Sequence, residues 1–105
     1  MITNSEAINA LSKATFALYD AYGAAKDAQK TKILRLIHIL NREYYALLGL
    51  DPHNEDKGYS ALTQEFKKST ALVDQVRQDA EQFIRSVKIA AAVVSTLGEV
   101  ATLLA

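Results

Sequence analysis

Alanines recur along the opening segment at alternating steps of three and four: Ala7, Ala10, Ala14, Ala17, Ala21, Ala24 and Ala28. That spacing places all seven on one stripe of an α-helix. Methyl-sized side chains do not fill a core, but they let a second helix come close. The closing segment carries its own regularity. Leu62, Phe66, Ser69, Val73, Val76, Ala80, Phe83, Val87, Ala90, Val94, Leu97, Ala101 and Leu104 keep steps of four and three, with Ser69 the one polar member. A strand period of two does not produce such a run. The pattern predicts an all-α chain.

Local signals set the expected boundaries. Thr3 with Glu6 three residues on reads as a capping box, flanked by Ile2 and Ala7 as a hydrophobic staple. Gly49 suits the left-handed position after a helix, and Pro52 follows it. Gly, Asp, Pro, His and Asn then cluster between Gly49 and Tyr59. The prediction is a single helical domain with a helix over 3–48, a loop over 49–59 and a helix over 60–105. The polar run from Lys26 to Lys32 offers an alternative, a break near 27–32 that gives three helices. Leu11, Tyr22, Ile33 and Tyr44 recur every eleven residues across that run, so the apolar face resumes in phase. Phase continuity favours one unbroken helix. Each arm then spans on the order of 70 Å at about 1.5 Å per residue.

Two equal arms imply an antiparallel hairpin in which facing residue numbers sum to roughly 108. This register sets Ala17 opposite Ala91 and Ala10 opposite Gly98, so the ladder meets a second small-residue stripe, Ala91, Ser95, Gly98 and Thr102. Asp20 falls opposite Lys88, and Lys13 lies within a turn of Glu99. Lys26, Lys30 and Arg35 run beside Asp74, Asp79 and Glu81. Exposed pairs contribute at most about 1 kcal/mol each, so their value is in choosing the register.

Two helices on one seam leave apolar surface over. Phe16, Tyr19, Leu34, Ile39, Tyr45, Ile84, Ile89, Val93, Val100 and Leu103 lie outside the ladder and heptad. A soluble monomer rarely exposes a large contiguous apolar patch. The expectation is self-association of two hairpins into a four-helix bundle, a homodimer or a complex with another helical protein. Its packing faces are the ladder, the small stripe, and Phe83, Val94 and Leu97.

Composition narrows the function classes. The 105 residues contain twelve basic and twelve acidic side chains, one proline and no cysteine. Charge balance argues against a nucleic-acid partner, and the missing thiols exclude disulfides and zinc–thiolate sites. No basic region followed by an apolar run opens the chain, so no secretory signal is read and a cytoplasmic site is expected. His38 lacks a ligand-type neighbour three or four residues on. The oxygen-rich turn from Asp51 has Asp56 and Leu62 where a calcium loop needs glycine and glutamate. No catalytic, metal or cofactor-binding residue is predicted, and the chain is not read as an enzyme. The apolar stretch from Ile89 to Ala105 approaches a membrane-spanning length. An alternative function is therefore a membrane-active, pore-forming-type or secreted hairpin that inserts this segment. In outline the hairpin resembles secreted WXG-type proteins, but its turn carries Leu48-Gly49-Leu50 in place of Trp-x-Gly, and no family is assigned.

Overall fold

The computed structural model describes residues 2–105 and is helical, with no strand among the described residues. Five α-helices follow in order: α1 (Asn4–Ala24), α2 (Asp27–Leu48), α3 (Gln64–Lys67), α4 (Thr70–Phe83) and α5 (Val87–Leu104). The capping box forms as its residues require. Thr3 Oγ1 accepts from the Glu6 amide at 3.1 Å, and the Glu6 side chain accepts from the Thr3 amide at 3.1 Å. These bonds hold the Glu6 carboxyl below its ordinary value of 4.5.

The unbroken first helix is corrected: it breaks at Ala25 and Lys26, both extended, just before the 27–32 stretch of the alternative reading. The second arm breaks too, at 84–86. The two breaks meet. Ala25 and Ile84 form an isolated antiparallel bridge, in which Lys26 N–H donates to the Phe83 carbonyl at 3.1 Å and Arg85 N–H to the Ala24 carbonyl at 3.0 Å. Each break thus satisfies backbone groups that the other exposes. The pairing lies within one residue of the expected register. What differs is that the hairpin is folded double at this point.

Doubling gives each long helix two neighbours. α1 packs against α2 and α5, and α4 packs against α5 and α2. The bundle expected from two copies is therefore assembled within one chain, with extents of 42 × 23 × 21 Å. The physical reason is burial: α5, apolar on most sides, lies against two helices here and would have met only one in a straight hairpin. The eleven-residue phase is not kept across the break: Leu11 and Ile33 are buried, Tyr44 is half-buried and Tyr22 is exposed, because α1 and α2 are separate helices that each turn an apolar face to one shared core.

The boundaries shift accordingly. Helix does not resume at Ser60; apart from a 3₁₀ turn at Pro52–Asn54, residues 49–63 are non-helical. This loop returns over the start of α1. Asn4 N–H donates to the Lys57 carbonyl at 2.9 Å and Ser5 N–H to that of Glu55 at 3.1 Å, which pairs the orphan amides of the first turn. Gly49 ends α2 at φ −76°, so the left-handed cap is also corrected. The heptad holds from Phe66 to Ala80, with Phe66, Ser69, Val73, Val76 and Ala80 all buried. It slips at Val87, which is 86% exposed, because the break resets helical phase. On α5 the buried stripe is Ala90, Val93, Leu97, Val100 and Leu103.

Candidate interaction surface

The predicted packing residues separate into three groups. Ala7, Ala14, Ala17, Ala21 and Leu97 are buried. Ala10, Ala24, Phe83, Val94 and Gly98 are half-buried. Ala28, Ala91, Ser95 and Thr102 are exposed. The ladder thus serves the chain's own core and ends where α1 ends. The small stripe of α5 is mostly on the outside, rotated away from the buried stripe. Gly98 faces α4, where an added Cβ would lie 3.1 Å from Arg77 Nη2.

The charged register is present in outline. Lys13 and Glu99 line one cleft between α1 and α5. Asp20 and Lys88 each lie about one helical turn from the Ala25–Ile84 contact on neighbouring antiparallel helices. They form no ion pair. Among the described residues the ion pairs are Lys30–Asp27 at 3.7 Å, with Lys30 half-buried, and Arg42–Glu65 at 3.4 Å, on exposed side chains.

One buried polar centre was not anticipated. Glu43 is fully buried on α2 and accepts four hydrogen bonds. Oε2 accepts from the Tyr59 hydroxyl at 2.5 Å and the Leu62 amide at 2.9 Å. Oε1 accepts from the Thr63 amide and hydroxyl, both at 2.9 Å. Thr63 in turn caps α3. Burial first, and then the Glu43 carboxyl, push the Tyr59 phenol well above its ordinary value of 10.0. Every acceptor position is filled, so this centre is an anchor for the 59–63 segment and has no lone pair free for a ligand. In the sequence Glu43 looks like any helical surface glutamate, because its donors come from a loop sixteen to twenty residues on.

No cluster of three or more His, Cys, Asp or Glu side chains is placed to hold a metal ion among the described residues. His38 and His53 are exposed.

The surplus apolar residues also separate. Ile84, Val93, Val100 and Leu103 are buried, and Ile39 and Ile89 pack partly against the core. Phe16, Tyr19, Leu34 and Tyr45 remain outside, at 71%, 53%, 40% and 67% exposure. Phe16, Tyr19 and Tyr45 gather where α1 meets α2, and Leu34 lies three turns away from Tyr45 along α2. Ser12, Thr15, Phe16 and Tyr19 from α1 and Asn41, Tyr44 and Tyr45 from α2 line a groove of about 220 Å³. None of the seven is charged. The walls are ordered: Tyr44 and Tyr45 meet edge to face at 5.5 Å, and Asn41 Nδ2 donates to the Tyr19 hydroxyl at 3.3 Å. Thr15 turns its hydroxyl back to the Leu11 carbonyl at 2.8 Å and so offers the groove a methyl group. Leu34, His38, Asn41, Tyr45 and Leu48 extend the same exposed edge of α2 at steps of four and three.

Comparison of the chain with known protein families, with curated proteins and with solved structures finds no match.

Proposed function

We propose that this chain is a non-catalytic helical interaction protein whose contact surface is the aromatic face of α1 and α2. The observation that carries the reading is the grouping of Phe16, Tyr19 and Tyr45 in the open around an uncharged groove. Contact surfaces are enriched in aromatic side chains and depleted of charge at their centres. The groove is smaller than the roughly 300 Å³ at which small-molecule sites begin, and it suits an inserted side chain. The ladder from Ala7 to Ala21 and the heptad from Phe66 to Ala80 pack into the chain's own core and leave the aromatic face outside it. The test is photo-crosslinking in living cells. Benzoylphenylalanine in place of Phe16 or Tyr45 is expected to capture a discrete species, and the same probe at Ala28, exposed outside the groove, is not. No adduct at either aromatic position rejects the reading.

A second reading has one observation in its favour. α5 is long and apolar enough to cross a membrane, and 28% of it is buried within the fold. On this reading α5 leaves the bundle to enter a bilayer. Flotation of the chain with lipid vesicles, at neutral and acidic pH, separates the two.

A further inference from the structure

We infer that the occupant of the aromatic groove is a second copy of this chain, related by a two-fold axis through the α1–α2 face. This rests on the interaction reading above and names its partner.

Area is the first argument. A buried aromatic side chain contributes about 150–250 Å². At their exposures, Phe16, Tyr19 and Tyr45 together leave on the order of 400 Å² open on one copy. A pair of copies removes about twice that from water, and Leu34 and Leu48, at 40% and 50% exposure, carry the total past the roughly 1,000 Å² that a specific interface requires.

Charge is the second. A two-fold interface sets a patch against its own copy, so any charge near the axis meets itself. The groove's seven lining residues carry none. The chain as a whole has twelve positive and twelve negative side chains, so no long-range repulsion opposes approach of two copies. A partner that inserts a charged group would find no counter-charge among the residues that line the groove; Lys13 and Asp20 lie one turn either side of Phe16.

Shape is the third. Phe16 stands out beside the groove that it helps to line, so one surface carries both a projection and a recess. Self-complementarity of this kind is what an isologous contact needs.

The experiment is the solution mass of the full chain by sedimentation equilibrium, from about 1 μM to 1 mM, the range that spans tight and weak contacts. The expected result is a shift from 11.5 kDa to twice that mass as concentration rises. The double variant Phe16→Ser, Tyr45→Ser is expected to stay at the single-chain mass with unchanged helical circular dichroism. In the dimer of the chain carrying benzoylphenylalanine at position 16, the crosslink is expected to land on α1 or α2 of the other copy. A single-chain mass at every concentration overturns the inference, as does a crosslinked peptide from α4 or α5. If the chain is monomeric but position 16 still captures a different protein in cells, the partner assignment fails and the interaction reading stands.

Discussion

Glu43 illustrates how a single residue can organise a segment distant in sequence. Its carboxyl accepts from Tyr59, Leu62 and Thr63 and holds this non-helical segment against α2, ahead of the helix that starts at Gln64. Glu43→Gln sets an amide NH₂ against donors that need an acceptor. The expected loss is about 2–3 kcal/mol, since hydrogen bonds to charged groups and stranded buried donors both cost in that range. Urea denaturation measures it. Tyr59 adds a pH dependence of known sign. Its folded value lies above the unfolded value of 10.0, so its contribution is complete below pH 10 and is lost as pH rises beyond it. The urea midpoint is expected to fall in alkali for the wild type, and less so for Tyr59→Phe. An identical alkaline profile in the two proteins removes this assignment.

At the scale of elements, helix content was readable because the 3.6-residue period repeats for many turns in both arms. The breaks were not. Ala25 and Lys26 carry no proline or glycine, and Lys26 makes no side-chain cap. Their extended geometry is supported instead by the other break, through Phe83 and Arg85. Two local clues were present: the polar run from Lys26 to Lys32, which pointed to a break near 27–32, and Ser86, whose hydroxyl accepts from the Ile89 amide at 3.3 Å and caps α5. The ladder has a corresponding test. Ala17→Leu adds bulk at a buried contact and is expected to cost about 1–3 kcal/mol. Ala28→Leu, past the end of α1, is expected to change stability by no more than about 0.5 kcal/mol. Equal thermal midpoints for the two variants count against a buried ladder.

For the whole molecule, the shared core decides which apolar surface remains outside. α5 supplies Ala90, Val93, Leu97, Val100 and Leu103 to a cluster that also includes Leu11, Leu18, Leu36 and Phe66. Its withdrawal would open that cluster to water, at roughly 25 cal/mol for each Å² uncovered. Glu99 would also have to enter the bilayer, where a carboxylate is costly. The expected outcome of the flotation experiment is therefore that the chain stays with the soluble fraction. Comigration with vesicles would give the membrane reading precedence. The aromatic face is different, because it can be covered without disturbing any packed element.

The hydrophobic pattern by itself determined that the chain is helical, which face is buried on α1 and from Phe66 to Ala80, and the register near Ala25 and Ile84. Those properties follow from side-chain spacing within a helix, which is local. It also identified Phe16, Tyr19, Leu34 and Tyr45 as surplus apolar surface. Tertiary structure alone decided that the arms fold double, that Glu43 is buried, and which surplus residues gather into one groove. These outcomes depend on burial by elements far apart in sequence, and a residue's own neighbours along the chain carry no record of that.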